Sequence, residues 1–249
     1  MLKSDHNYVA TREGNPRFTV ASYNIHQCVG TDGRRDPGRI ARVILELEAQ
    51  VIGLQEIDSK SGAELEEAQL DYLAQATGLQ AVPGPTIWRA DSHYGNALLT
   101  SYAIAETRLI DLSVAGREPR GAIDAKLDIQ GKALRVIVTH LGLTAAERYN
   151  QVERLKQILC NEREQPVILL GDTNEWFPLS RTIRILHQCL GKTPAKPTFP
   201  TWFPLLSLDR IWIRPRRALE TVRVHKSPLA KIASDHLPLK MSVELGQSI

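Results

Sequence analysis

The sequence predicts an α/β fold in which two sheets pack face to face and helices cover their outer faces. The chain has 249 residues, of which 43% are hydrophobic and 24% are charged. This balance is typical of a folded domain and excludes a disordered, collagen-like or coiled-coil chain. Short apolar runs, which predict strands, alternate along the chain with stretches of helical periodicity. This alternation occurs in two rounds, with the strands in mixed parallel and antiparallel order, which favours two packed sheets.

The first half of the chain begins this alternation. Residues 18–25 form a β-branched, apolar run, and residues 37–50 carry apolar side chains at helical spacing after a proline. Residues 51–57 predict a buried strand, and residues 61–77 predict a helix that Gly78 ends. Further strand-like runs, separated by short turn signals, predict an antiparallel meander over 96–100, 104–112, 121–129 and 134–140.

The second half opens with the clearest helix signal, over residues 144–161. Thr144 is the predicted N-cap, and Glu147 stands three positions later, in the register of a capping box. The remaining predicted elements are a strand at 166–170, a helix at 182–190, and strands at 208–213, 219–225 and 237–244.

Clusters of proline and glycine at 14–16, 83–85 and 194–200 are too short to be interdomain linkers. We interpret them as loops. Together with the absence of internal repeats, this predicts a single domain over residues 1–249, with its motif-bearing core at about 18–244.

Overall charge does not identify a partner, because 31 basic residues against 28 acidic ones leave a net charge of only +3. Three cysteines without CxxC spacing argue against a disulfide framework or a zinc cluster, and we expect reduced, buried thiols. The N-terminus has no apolar signal region, and no stretch approaches the roughly 18–20 apolar residues of a membrane span. We therefore expect a cytoplasmic protein without an obligate protein partner, which still allows a lipid substrate at a membrane surface.

Polar side chains able to bind a metal or a phosphate recur at the ends of the apolar strands. A strand that delivers such a group to its end places it at the rim of a sheet, where groups from several strands converge. Each such residue alone is weak evidence for a functional site, because aspartates at strand ends often cap turns. The set comprises Asn24, Glu56, His140, Asp172, Asn174, Asp209, Asp235 and His236.

Taken in order, these stretches resemble the endonuclease/exonuclease/phosphatase superfamily, the deoxyribonuclease I-like metal-dependent phosphoesterases. The similarity runs from residue 18 to about 244 and is carried by SYNIH, VIGLQEID, YGNALLTSY, VIVTHL, ILLGDTNEW, LDRIWI and SDHLPL. It implies a four-layer αββα sandwich, in agreement with the predicted strands and helices.

The resemblance also implies a divalent metal. A phosphoester is anionic and repels a nucleophile, so its hydrolysis needs a hard cation and an oriented water. Glu56 is implied as the principal ligand, with Asn24 beside it and Asp235 next to the metal. Mg²⁺ prefers such oxygen ligands, and Mn²⁺ fits the same site. The sequence offers no sulfur-rich or poly-imidazole zinc cage.

Four further residues have implied roles in the reaction. His236 corresponds to the essential histidine, with Asp209 as the carboxylate that orients it and raises its pKa. Asp172 corresponds to the residue that aligns or deprotonates the attacking water, and Asn174 to a donor to a phosphoryl oxygen. The resemblance leaves open whether His236 or Asp172 is the base and whether one or two metals act.

Two more positions complete the implied site. His140 matches a second histidine that protonates the leaving oxygen or binds a phosphoryl oxygen. Arg120 is interpreted as a phosphate clamp or, equally, as a solvated surface residue.

Three substrate classes follow, and the first is nucleic acid. The segment Arg210–Lys231 contains seven basic residues and one acidic residue, a local charge of +6. Such a segment either tracks a phosphate backbone or forms a solvated hairpin with arginines on different faces.

The second class is phospholipid, since the motifs are most similar to the sphingomyelinase-like and uncharacterised bacterial branch. The segment 198–206, TFPTWFPLL, is unusually apolar for a loop. Phe199, Trp202 and Phe203 either insert into a lipid interface or pack over the sheet.

The sequence thus predicts a Mg²⁺- or Mn²⁺-dependent phosphodiesterase that acts on nucleic acid or a phospholipid headgroup. The alternatives are a soluble phosphomonoesterase, which is the third substrate class, and a catalytically silent module that binds a phosphate ligand.

Overall fold

Eleven strands form two sheets in this computed structural model, which describes residues 15–60, 68–161 and 165–246. The strands are β1 (Arg17–Asn24), β2 (Val51–Lys60), β3 (Gln80–Trp88), β4 (Ser92–Thr100), β5 (Ala103–Asp111), β6 (Gly121–Ile129), β7 (Lys132–His140), β8 (Val167–Asp172), β9 (Asp209–Arg214), β10 (Leu219–Val224) and β11 (Leu239–Glu244). The helices are α1 (Pro37–Leu47), α2 (Gln69–Thr77), α3 (Ala145–Asn161), α4 (Arg181–Leu190) and the single turn α5 (Ala230–Ala233).

The two sheets pack face to face, and helices cover both outer faces. One sheet has the strand order β10-β11-β1-β2-β4-β3 and the other the order β5-β6-β7-β8-β9. Helices α1 and α2 share a core with the six-stranded sheet, and α3 and α4 share one with the five-stranded sheet. A third core fills the space between the sheets. This confirms the predicted αββα sandwich.

A glycine in β2 marks a close approach of the two sheets. A Cβ atom on Gly53 would lie 2.0 Å from Leu170 Cδ1 and 2.9 Å from Val138 Cγ1. Both neighbours belong to the opposite sheet, in β8 and β7. The absence of a side chain at Gly53 therefore sets the spacing between the sheets near their functional edge.

The interpretation of residues 83–85 as a loop was wrong. Pro83 and Pro85 lie inside β3, which pairs antiparallel with β4 at the edge of the six-stranded sheet. Proline is tolerated in an edge strand because its missing N–H can face away from the ladder. The composition alone did not distinguish this edge strand from a turn.

The predicted four-stranded meander is confirmed only for its last three members. Strands β5, β6 and β7 pair antiparallel in order, whereas β4 pairs with β2 and β3 in the other sheet. The chain changes sheet between β4 and β5. Of the helix predicted at 61–77, the structure describes α2 from Gln69, and residues 61–67 lie outside the described residues.

The predicted capping box of α3 is confirmed. The Thr144 hydroxyl donates to Glu147 Oε2 at 2.6 Å, and the Thr144 amide donates to the same oxygen at 2.9 Å. The Glu147 amide in turn donates to Thr144 Oγ1 at 3.3 Å. These contacts satisfy amide groups that the first turn of a helix otherwise leaves without partners.

Thr144→Ala is expected to lower the free energy of unfolding by about 1 kcal/mol, because the cap is lost. For a chain of this length, that corresponds to a fall in Tm of about 2–4 °C. Thr31→Ala, at an exposed turn position, is the matched control and leaves Tm unchanged. Equal Tm values for the two variants in a thermal melt followed by circular dichroism would contradict the role of the cap.

All three cysteines are free thiols. Cys28 is buried as expected, whereas Cys160 and Cys189 are half-buried and their sulfurs lie 3.7 Å apart between α3 and α4. Within the described residues, the structure has no helix that combines the length and apolar character of a membrane span.

Candidate active site

The polar strand ends gather at one edge of the sandwich. Strands β1 and β2 are parallel, as are β7 and β8, and Asp172 at the end of β8 is in register with Asp209 at the start of β9. A cavity of about 580 Å³ opens at this edge. It is lined by Glu56, Tyr94, Glu118, Arg120, His140, Leu143, Asp172, Asn174, Trp176, Phe199, Leu208 and His236.

A β-bulge places Glu56 in this cavity. Between the paired positions Leu54 and Ile57, two residues of β2 face the single residue Asn96 of β4. Glu56 adopts a left-handed backbone conformation with φ of 62°. Bulges of this kind redirect a side chain out of the regular alternation of a strand, and they are frequent beside active sites.

The amide of Asn24 connects two carboxylates from different sheets. Asn24 Nδ2 donates to Glu56 Oε1 at 2.9 Å and to Asp172 Oδ2 at 3.0 Å. Its oxygen accepts a hydrogen bond from the His26 amide at 3.0 Å. In this orientation Asn24 holds the two carboxylates together.

The convergence of these carboxylates fits a hard cation. Burial raises the pKa of Glu56, and the charge of Asp172 adds to this rise although the Asn24 hydrogen bond opposes it. A divalent cation beside the two oxygens would favour their charged forms. Asp172, Asp209 and His236 also form a buried cluster whose carboxylate and imidazole atoms lie within 4.8 Å of one another. The oxygen-rich donor set matches the preference of Mg²⁺ or Mn²⁺.

His236 is held by a buried carboxylate. Its Nδ1 lies 2.8 Å from Asp209 Oδ2, which also accepts a hydrogen bond from the Thr198 hydroxyl at 2.5 Å. Burial opposes protonation, but the charges of Asp209 and Asp172 outweigh it and raise the pKa of His236 to about 10. The free Nε2 lies 3.7 Å from Asp172 Oδ2. His236 is thus an oriented imidazolium at neutral pH.

The pKa of the second histidine, His140, is shifted in the opposite direction. Burial lowers the pKa of His140 to about 3, although its Nε2 lies 3.6 Å from Asp172 Oδ2. Asn174 Nδ2 lies 3.1 Å from the same Nε2 and donates to Leu141 O at 2.8 Å. A neutral imidazole that accepts from Asn174 at Nε2 keeps its proton on Nδ1.

Asn174 owes its position to a turn after β8. It adopts φ of 49°, and its backbone amide donates to Asp172 Oδ1 at 2.8 Å. Asparagine and aspartate favour such turns because their side chains bond the backbone two residues away. The turn fixes Asn174 and Asp172 relative to each other.

Arg120 lies in the cavity wall and is not a solvated surface residue. Its side chain is 6% exposed, and Nη1 lies 2.8 Å from Glu118 Oε1. Arg120 Nε is buried and has no hydrogen-bond partner among the described residues. A buried guanidinium with an unused donor is suited to binding a phosphoryl oxygen.

Asp235 does not line the cavity, but it lies close enough for its charge to act on Glu56 and His236. Its side chain is 39% exposed, and Oδ1 lies 3.9 Å from His26 Nδ1. The structure thus brings the other predicted site residues together and places Asp235 at the margin of the site, and its role as a ligand stays a prediction.

Several residues of the site were not predicted to have a role. Tyr94 and Glu118 line the cavity beside Arg120, and Thr198 supports Asp209. Tyr94 lies in the stretch YGNALLTSY that carried the resemblance, so a signal for it existed. Thr198 and Glu118 occupy loops, and sequence spacing gives no indication of which strand end a loop residue will reach.

The basic segment Arg210–Lys231 is dispersed over the structure. Arg210 is buried, and its Nε donates to Ser207 O at 2.8 Å. Arg214 Nη1 donates to Leu159 O at 3.0 Å, and Arg216 Nε donates to Lys192 O at 2.8 Å. These arginines bind backbone carbonyls of different neighbouring segments. This agrees with the alternative in which the arginines lie on different faces.

The αββα sandwich with a polar edge is the architecture that the resemblance implies, and comparison with known proteins agrees. A model of the endonuclease/exonuclease/phosphatase family matches residues 21–236. The chain belongs to this family.

Individual relatives cover nearly the whole chain. The uncharacterized protein YbhP of Escherichia coli (strain K12) is 29% identical over 247 residues, which cover 92% of this chain and 96% of YbhP. An endonuclease/exonuclease/phosphatase from Beutenbergia cavernae has a TM-score of 0.74 and 20% identity, over 94% of this chain and 72% of that one. A mannosyl-6-phosphatase from Bacteroides thetaiotaomicron has a TM-score of 0.69 and 19% identity, over 90% of this chain and 98% of that one.

Proposed function

We propose that this protein is a divalent-metal-dependent phosphodiesterase in which water attacks the phosphorus in line with the leaving oxygen. The observation that carries the proposal is the convergence of Glu56 and Asp172 on one amide, opposite the imidazolium of His236. Membership of a family of nucleases and phosphatases supports a phosphoester as the substrate. The intact set of carboxylates and imidazoles argues against a silent binding module.

Glu56 would hold the metal, with Asn24 beside it, and Asp235 is proposed as a further ligand. When bound, Mg²⁺ or Mn²⁺ would supply positive charge that polarises the phosphoryl group. The oxygen donors do not distinguish between these two ions.

The remaining residues act on water, protons and charge. Asp172 orients the attacking water and accepts its proton, because His236 already carries a proton at neutral pH. The His236 imidazolium, kept in place by Asp209, stabilises negative charge on a phosphoryl oxygen. Asn174 and Arg120 donate to the phosphoryl oxygens, and His140 faces the leaving group.

One comparison favours a second candidate. A solved structure of similar fold is a mannosyl-6-phosphatase, an enzyme named for a phosphomonoester substrate. A monoester carries one more negative charge than a diester and would be bound by the same cations. We therefore test monoesters and diesters side by side.

The decisive measurement is hydrolysis of bis(p-nitrophenyl) phosphate with Mg²⁺, with Mn²⁺ and with a chelator. We expect activity with either metal and none with the chelator. Glu56→Gln removes the charge of the principal ligand, and we expect it to raise the half-activating metal concentration about 10- to 100-fold.

Glu106→Gln is the matched control, because Glu106 lies on β5 with a half-exposed partner, Lys126, away from the cavity. It leaves the metal requirement unchanged. Equal rates with metal and chelator refute the proposal. Hydrolysis of p-nitrophenyl phosphate alone assigns the protein to the second candidate.

A further inference from the structure

Exposed apolar side chains are concentrated on one side of the cavity mouth. Of the eleven large hydrophobic side chains that the described residues expose, seven lie on three loops. One loop follows β7, one follows β8 and one precedes β9, which are adjacent strands. We call this set the apolar rim: Leu143, Trp176, Phe177, Leu179, Trp202, Phe203 and Leu205.

The apolar rim projects from loops that are tied to the fold. Leu179 is 84% exposed and Trp202 is 81% exposed. The Trp202 and Phe203 rings stack with centroids 6.1 Å apart. The Thr201 amide donates to the carbonyl of Asp235 at 2.8 Å, which anchors this loop beside the catalytic His236. Of the two alternatives for these aromatic residues, packing over the sheet is wrong for Trp202 and Phe203. Phe199 does pack, with its ring 4.8 Å from that of His236.

The apolar rim is continuous with the cavity. Leu143 and Trp176 belong to the rim and also line the cavity together with His140 and Asn174. A molecule that covers the rim therefore lies at the entrance through which the phosphoester must pass. This continuity links the surface to the substrate.

The segment 173–207, which carries six of the seven rim residues, bears exposed charges of one sign. Between residues 173 and 207, the only carboxylate is that of Glu175, which is buried and lies 3.1 Å from Arg148 Nε. The other charged residues of this segment are exposed cations: Arg181, Arg184, Lys192 and Lys196. Arg181 and Arg184 lie in the first turn of α4, close along the chain to Leu179 of the rim, whereas Lys192 lies beyond the other end of α4, where Arg216 donates to its carbonyl. Aromatic and aliphatic side chains with adjacent cations are the composition of a surface that binds anionic lipid.

We propose that the apolar rim docks on the surface of an anionic lipid bilayer, so that the phosphoester entering the cavity is a phospholipid headgroup. This inference rests on the proposed function and names its substrate class. Nucleic acid is less well matched, because the three leucines of the rim do not stack on bases and Arg210 and Arg214 of the basic segment bind backbone carbonyls. Tryptophan at a rim is suited to the boundary between headgroups and acyl chains.

The test is flotation of the full chain with vesicles of phosphatidylcholine that contain phosphatidylglycerol. Two double variants remove rim residues that do not line the cavity: Phe177→Ser with Leu179→Ser, and Trp202→Ser with Phe203→Ser. We expect each to lower the bound fraction at least about tenfold, and hydrolysis of vesicle phosphatidylglycerol to fall in parallel. Hydrolysis of soluble bis(p-nitrophenyl) phosphate stays at the level of the unmodified protein.

The matched control is Leu45→Ser with Leu109→Ser, which removes two exposed leucines on α1 and β5. It leaves vesicle binding unchanged. Because the two rim variants change different loops, one still tests the inference if the other fails to fold. Retained hydrolysis of the soluble diester shows which variants are folded.

Several results overturn the inference. Unchanged vesicle binding by a folded rim variant removes the role of the rim. Rim-dependent dimerisation in light scattering without vesicle binding also overturns the inference, because the rim then binds a second copy of the chain. Rim-dependent cleavage of DNA without vesicle binding assigns it to nucleic acid. Rim-dependent vesicle binding by a protein that hydrolyses no phosphoester supports the docking surface and refutes the proposed function instead.

Discussion

Asp172→Asn is expected to lower kcat for bis(p-nitrophenyl) phosphate by about 10² to 10⁴ at saturating Mg²⁺. Asp172 is buried at the centre of the site, with Oδ2 accepting from Asn24 and Oδ1 accepting from the Asn174 amide. Asparagine keeps the shape of the side chain but cannot take a proton from water. It also removes the negative charge that faces both histidines, so the variant lacks both the proposed base and the charge that acts on His236 and His140.

The negative charge of Asp172 also has an effect that can be measured independently of the reaction rate. Asp172 helps to raise the pKa of His236 against the effect of burial. In Asp172→Asn the pKa of His236 is therefore expected to fall, which NMR titration of the imidazole measures. Asp128→Asn makes the same chemical change on the exposed part of β6 and alters neither quantity. A kcat within threefold of the unmodified protein would exclude Asp172 as the base.

The positions of these groups were largely predictable from the strands. An apolar run that ends in a polar residue predicts a side chain at a sheet edge, and Asp172, His140 and Asn24 all follow this rule. Parallel pairing of β1 with β2 and of β7 with β8 then brings four strand ends to one side. The resemblance supplied the roles, and the structure brings the predicted groups together.

Other features could not be predicted because they arise from contacts distant in the sequence. The bulge at Glu56 depends on how β2 pairs with β4, and the sequence of β2 alone reads as a regular strand. The place of β4 in the six-stranded sheet likewise depends on its pairing with β2, which is distant in the sequence. Whether Trp202 is buried or exposed depends on how its loop contacts the segment that precedes β11. Composition detects the apolar loop but not its orientation.

Gly171→Ala is expected to lower the free energy of unfolding by about 2–6 kcal/mol, the largest effect of any substitution considered for stability. Gly171 precedes Asp172 in β8 and pairs with Thr139 of β7. It has φ of 146°, and a Cβ atom there would lie 1.8 Å from the backbone oxygen of Thr139. A backbone atom cannot rotate away as a side chain can, so the two strands must separate.

The size of this effect can be separated from the cost of the backbone conformation alone. Gly131 also has a positive φ, 83°, but a Cβ atom there would meet no atom within 4 Å. Gly131→Ala is therefore expected to cost only about 1–2 kcal/mol, the penalty of a left-handed conformation. Urea unfolding followed by fluorescence measures both values. Equal losses in the two variants would mean that β7 and β8 can move apart at no cost, and the close pairing that sets the position of Asp172 would then not be a rigid feature of the site.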